Sequence, residues 1–316
     1  MTTKIAFTSC SRLKPNKPQI GWAEIDAADP DYLFLLGDQI YMDFGKWPFA
    51  KEPMYSPRKY SVEKFESVMR SKYEAQWAEP NFKKLVDRMR ANGGFDGMWD
   101  DHDFAWNNSY GRDTTQPESY HMKEKAEVSR KLFHEFMGTS NNLPEVYHYR
   151  DIGDIARVFF LENRSHAMKP NQGDLLGRTQ MAFLKDNIHH DKRYTIISTG
   201  ITLTHSAECW SKWFLEYSDF CNIIKDTPRL LHISGDIHKN AFDGPSTVID
   251  DTYRPCYEIV SSGIDVNRYG IPLPFDLQRN WSMLELDYAN VVVKQYAKSK
   301  ETRYIIDTAT WQFKRL

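Results

Sequence analysis

Short apolar runs alternate along this chain with amphipathic stretches of helical period. Runs of branched and aromatic residues at 4–9 (KIAFTS), 32–36 (YLFLL), 95–99 (FDGMW), 156–162 (ARVFFLE), 194–198 (YTIIS) and 230–234 (LLHIS) predict strands. The stretches between them predict helices over 61–78, 81–91, 120–137, 178–190 and 207–225. Strands separated by helices imply an α/β architecture whose sheet is covered on both faces. Towards the C-terminus the rhythm changes: 255–262, 282–287, 290–296 and 309–315 read as consecutive strands in meander style. We expect one domain over 1–316 with a strand-rich end, since no internal repeat, low-complexity tract or linker interrupts the pattern.

Two stretches carry no period and read as loops. Residues 43–60 mix proline, aromatic and basic side chains, among them Trp47, Phe49, Tyr55, Arg58 and Lys59, and form either a wall selecting the substrate or a structural cover. Residues 264–280 are expected at the surface.

Composition narrows the class. With 316 residues, 41% of them hydrophobic, the chain can bury a sizeable core. Its 41 basic and 43 acidic residues leave no dominant surface for nucleic acid. The four cysteines, Cys10, Cys209, Cys221 and Cys256, form no CxxC pair, which suits a reducing compartment. KIAFTSC reads as a first strand, not a signal peptide, and no run approaches the ~20 apolar residues of a membrane span, so a cytoplasmic location is expected.

Against this background, metal-ligand residue types recur at the ends of the apolar runs. Asp38 follows YLFLLG, where the glycine lets backbone approach closely and the carboxylate can bridge two cations. Cys10 ends the first run, and Tyr41 lies three residues beyond Asp38. A thiolate with a phenolate favours a transition metal, iron(III) in particular. Taken singly, Cys10 reads first as a small buried hydrophobe and Tyr41 as an interface aromatic, ahead of any ligand role. Asp100-Asp101-His102-Asp103 crowds three carboxylates around an imidazole; such crowding raises carboxyl pKa values unless a cation or donors relieve it. His102 is then a ligand or the general acid that protonates a leaving oxygen. Asn107 and Asn108 follow within reach. Asp236 and His238 alternate after LLHISG and, on extended backbone, would point to one side. Arg164 closes ARVFFLENR and offers a planar fork for phosphate oxygens. His232 reads as a core histidine, Lys239 as a surface charge, and His205 as a weaker site candidate.

FTSC, GDQIY, WDDHDFAWNN, FLENRS, LLGRTQMAFL and SGDIH, in this order over roughly residues 5 to 263, resemble the alkaline phosphatase D family of metallophosphoesterases. The resemblance implies a four-layer αββα sandwich with mixed sheets flanked by helices, and a centre of two or three cations, typically iron(III) with calcium, other divalent metals (Mn2+, Zn2+, Mg2+, Co2+) being alternatives. It implies metal ligation by Cys10, Asp38, Tyr41, Asp101, Asn107, Asp236 and His238, with His102 near the leaving group and Arg164 on the phosphate. Where the family pattern has Asp-x-Arg, this chain has Glu162-Asn163-Arg164. The secreted members' signal and N-terminal β domain have no counterpart here, which implies a minimal, intracellular member.

The expected activity is hydrolysis of phosphodiesters or phosphomonoesters by a metal-activated water, on a small phosphate ester or a lipid or nucleotide phosphate. A catalytically inactive metal- and phosphate-binding regulator is the alternative. Purely structural calcium sites rank below both, since calcium rarely takes cysteine or histidine.

Overall fold

The period-two alternation of the apolar runs sorts their side chains into three hydrophobic layers. In the computed structural model, which describes residues 2–14, 17–43, 56–138, 145–246, 253–267, 277–298 and 300–316, strand β1 (Thr3–Thr8) turns Ile5 and Phe7 to one side and Ala6 to the other. β2 (Tyr32–Leu36) does the same with Phe34 and Leu36 against Leu33 and Leu35. After α1 (Ile20–Ala27), α2 (Val62–Trp77) and α3 (Pro80–Ala91), β3 (Phe95–Met98) completes three parallel strands in the order β1-β2-β3. The outward set packs under α1, α2, α3 and α5 (Met122–Met137), with Trp22, Phe65, Phe82 and Phe133 buried there.

A second sheet repeats the scheme. β4 (His148–Ile152) runs antiparallel to β5 (Ala156–Leu161); β6 (Tyr194–Thr199), β7 (Leu230–Ser234) and β9 (Tyr257–Val260) continue in parallel, and β8 (Ala241–Asp243) closes the far edge. Val158, Phe160, Ile196, Leu231 and Ile233 face the first sheet, and Phe34 meets Phe160 edge-on, ring centroids 5.0 Å apart. Phe159, Leu161 and Ile197 face α6 (Gly177–Asn187) and α7 (Phe214–Ile224). The result is the four-layer αββα sandwich, its central layer made mainly of side chains from the two sheets.

The C-terminal strands divide between these sheets, unlike the single meander expected. β9 lies in the second sheet beside β7. β12 (Asn280–Leu286), β13 (Asn290–Ala297), β14 (Lys300–Asp307) and β15 (Gln312–Arg315) form the meander, joined to the first sheet by β12 on β1. A short pair, β10 (Val266–Asn267) with β11 (Leu277–Gln278), lies between. The helix expected over 207–225 begins only at Phe214. Upstream, the Trp210 and Ser211 amides bond back to the Thr202 and Leu203 carbonyls, which holds that segment in a turn.

Helix starts follow their caps. Ser61 Oγ accepts from Lys64 N at α2, and Glu79 accepts from Phe82 N with Pro80 opening α3. Among the described residues no helix is long and apolar enough to cross a membrane.

Candidate metal centre

The parallel strands of both sheets, β6 apart, deliver chemistry at their carboxyl ends, the edge where open α/β sheets place ligands. β1 leads to Cys10, β2 to Asp38, β3 to Asp100 and to the single turn α4 (Asp101–Phe104). From the second sheet β5 leads to Arg164, β7 to Asp236 and His238, and β9 to Ser262.

The chain bends sharply at these exits. Cys10 (φ 60°), Asp38 (φ 56°), Asp236 (φ 68°) and His238 (φ 52°) all adopt left-handed backbone, a conformation L-residues with a Cβ avoid. Hydrogen bonds hold the bends: Ser11 N to Asp38 O at 2.8 Å, Ile237 N to Gly235 O at 2.9 Å, and His238 N to Ser262 Oγ at 2.9 Å. Asp236 and His238 are therefore not neighbours on one face of an extended strand; a turn places each separately. Gly37 (φ 93°) is required before Asp38, since a Cβ there would sit 2.4 Å from Asp100 Cβ. Across the sheets, a Cβ on Gly235 would lie 2.3 Å from Ser9 Oγ, so the closeness of β7 to β1 depends on its absence.

Among the described residues two groups of donor atoms result, each within 4.8 Å: Cys10, Asp38 and His238, and Asp38, Asp101 and His102. Asp38 belongs to both. Its Oδ2 accepts from Cys10 Sγ at 3.3 Å and its Oδ1 from His102 N at 3.3 Å. Cys10 Sγ also receives the Ser9 and Ser262 hydroxyls at 3.3 and 3.2 Å, and Tyr41 OH lies 3.3 Å from His238 Nε2.

The Asp100–Asp103 cluster splits into four tasks. Asp100 Oδ1 accepts from Arg164 Nε and Asn163 Nδ2, while its Oδ2 is buried with no partner among the described residues. Asp101 Oδ2 accepts from Asn108 N, and its Oδ1 is likewise buried and unpartnered. His102 Nδ1 lies 2.6 Å from Asp43 Oδ1. Asp103 ties the exits together, accepting from Asp100 N at 2.6 Å and Gln39 N at 3.2 Å.

Burial and mutual repulsion act on these groups together. Burial pushes the Asp38 carboxyl well up, Asp101, Asp100 and Asp103 add to it, and His102 opposes. Burial raises Asp236, with Asp100, Glu208 and Asp101 contributing. Asp100 is pushed up to about 6 and Asp103 to about 8, chiefly by burial. The Cys10 thiol and Tyr41 phenol are also driven up by burial, and their neighbours' negative charge adds to the shift. Burial opposes the charged form of His102, but Asp101, Asp43 and Asp38 more than offset it and hold its pKa high. Buried, unpartnered carboxylate oxygens beside a thiol, a phenol and an imidazole fit cations, whose charge would reverse these shifts.

Arg164 departs from a simple phosphate fork. Its guanidinium is fully buried, bonded through Nε to Asp100 and through Nη1 to Glu208 Oε1 at 2.5 Å, with Nη2 buried and unpartnered among the described residues. Glu162 shapes the turn that carries it: its Oε2 accepts from Arg164 N, Ser165 N and Trp99 Nε1. Asn107 is exposed; its amide N bonds Asp43 Oδ2 at 3.0 Å and its side chain bonds Asn108.

Other sequence candidates lie elsewhere. His205 meets Asp243 at 2.6 Å and joins neither donor group; His232 is buried and bonded to Thr199 Oγ1. Lys239 is exposed. Trp47, Phe49 and Tyr55 lie outside the described residues, while Arg58 sits over the Trp106 ring. Sequence reasoning missed Asp43, Glu208 and Ser262, whose partners are 59, 44 and 252 residues away and share no motif with them.

Comparison with known proteins bears on the fold and the family. No characterised protein sequence matches the chain. Among solved structures, that titled "Structure of PhoD" superposes with a TM-score of 0.74 at 14% identity, covering 100% of this chain and 71% of that one. A dimetal phosphatase from Danio rerio superposes with a TM-score of 0.54 at 10% identity, covering 97% and 99%. The family model described as PhoD-like phosphatase matches residues 5–273, spanning every strand exit that carries a donor; the chain belongs to this family and is a phosphoric ester hydrolase.

Proposed function

We propose that this chain hydrolyses phosphate esters at a cation pair bridged by Asp38. The observation that carries this reading is that Asp38 is common to both donor groups. Cys10, Tyr41 and His238 would hold one cation and Asp101, Asp236 and, after turning its side chain from Asn108, Asn107 the other, with Asp38 available to both. The mixed thiol, phenol and imidazole set suits iron(III), and the oxygen-rich set suits calcium. When bound, the cations supply Lewis acidity for the phosphoryl oxygens and a more acidic water.

The remaining work belongs to side chains. His102 donates the proton to the leaving oxygen; Asp43, on Nδ1, keeps the ring charged and fixes Nε2 as the donating nitrogen. The Tyr41 ring tilts against His102, centroids 4.2 Å apart, and restricts its rotation. Arg164 contributes its charge to the bound phosphoryl group. The substrate is a small phosphate ester, with nucleotide and lipid headgroup phosphates in the same class. We take 1–316 as one unit, and the four free thiols suit a reducing compartment such as the cytoplasm.

The test is hydrolysis of bis-(p-nitrophenyl) phosphate and p-nitrophenyl phosphate by protein purified without chelator, with elemental analysis. Asp38→Asn should lose metal and turnover together. Full metal content with undiminished activity in that variant refutes the bridging role. A visible phenolate-to-iron band, absent in Tyr41→Phe, tests the iron assignment.

A further inference from the structure

Arg164 reaches the centre already engaged by two carboxylates of different kinds. Asp100 is buried (1% exposed) on the strand exit beside it. Glu208 is 12% exposed, carried on the turn that precedes α7, and its carboxylate takes Arg164 Nη1 at 2.5 Å. The Tyr110 ring lies under the guanidinium, 5.9 Å from centroid to Cζ, and the Glu208 charge acts on its phenol. Glu208 also acts electrostatically on Asp100 and Asp236, so its negative charge lines the region where a phosphoryl group would sit.

A carboxylate seated on an arginine presents two oxygens much as a phosphate does. Resting on the reading of this site as a phosphoesterase centre, we propose that Glu208 is an internal competitor for the phosphoryl group. Its carboxylate occupies Arg164 Nη1 in the resting chain, and a phosphate oxygen displaces it on binding. Asp100 stays in place and keeps the guanidinium oriented. No bond to phosphorus changes in this exchange; one charge-assisted hydrogen bond replaces another. The consequence is weaker ground-state binding of substrate and of product phosphate, which favours release.

The experiment measures inorganic phosphate binding by calorimetry on the metal-loaded protein. Glu208→Gln, which removes the charge and keeps the shape, should bind phosphate about tenfold tighter, the size of one charge-assisted hydrogen bond. Its KM for bis-(p-nitrophenyl) phosphate should fall without a rise in kcat. Equal or weaker binding in Glu208→Gln overturns the proposal and makes Glu208 a positioning residue for Arg164. Tighter phosphate binding without hydrolysis by any form supports the competitor and refutes the enzymatic reading. Absence of phosphate binding in parent and variant overturns the competitor, while ester hydrolysis by the same protein keeps the enzymatic reading.

Discussion

Asp43 Oδ1 lies 2.6 Å from His102 Nδ1, and Asp43 Oδ2 receives the amide of Asn107, so one carboxylate fixes both the imidazole and the start of the Asn107–Asn108 turn. Burial would raise Asp43, but His102 and the Asn107 amide together outweigh it and keep the carboxyl below its usual range, while Asp101, Asp43 and Asp38 hold His102 high. An imidazolium acting as proton donor loses activity as pH rises through its pKa. Asp43, which is no ligand, holds that alkaline limb higher than the ring alone would place it. In Asp43→Asn the limb should move to lower pH, and kcat should fall by roughly 10²-fold, the usual scale of general acid catalysis. A pH–rate profile checks this; an unmoved limb removes His102 from the acid role.

Metal uptake should release protons. In the metal-free chain burial holds Asp38, Asp236, Cys10 and Tyr41 above their ordinary values. Cations displace those protons, so affinity should rise with pH. Calorimetric titration in two buffers of different ionisation enthalpy measures the release, and identical heats in both would contradict it.

Asp103 contributes no atom to either donor group, yet it holds the amides of Asp100 and Gln39. Asp103→Ala frees both exits, and metal affinity should drop on the order of 10–100-fold with the fold retained, as for other residues that orient ligands. Competition with a chelator reads the affinity and circular dichroism reads the fold.

Far from the centre, His148 Nε2 lies 2.9 Å from Asp96 Oδ1. Burial lowers the His148 pKa, but the bond and charge of Asp96 raise it above 6.5 overall. The folded state thus binds this proton more tightly than the unfolded one. The resulting stability is fully present below 6.5 and is lost as pH rises through the higher folded value. Urea midpoints at pH 6 and pH 9 should differ less in His148→Asn than in the parent chain.

Much of the architecture was legible because period-two runs bury both faces of a parallel sheet, and all six apolar runs became β1, β2, β3, β5, β6 and β7. β14 was not, because Lys300-Glu301-Thr302-Arg303 lies largely exposed and reads as a loop until β13 pairs with it. α1 is too short for a period to stand out. In the site, Cys10, Asp38, His238, Asp101 and His102 announced themselves by ending strands, and the structure gathers them. The roles of Asp100, Asp103 and Glu162 were hidden, since a run of acids does not say which oxygen faces a cation and which a backbone amide. The turn at Asp236–His238 was misread for a related reason: alternation continues in the sequence where the strand has already stopped.

The left-handed backbone at Cys10, Asp38, Asp236 and His238 sets stability against activity. Glycine would relieve roughly 1–2 kcal/mol at each of these four positions and abolish a donor every time. Selected for thermal resistance alone, this chain should drift toward glycine at these strand exits and keep its sandwich while losing its chemistry. At these four exits a strained backbone is kept together with the donor it carries.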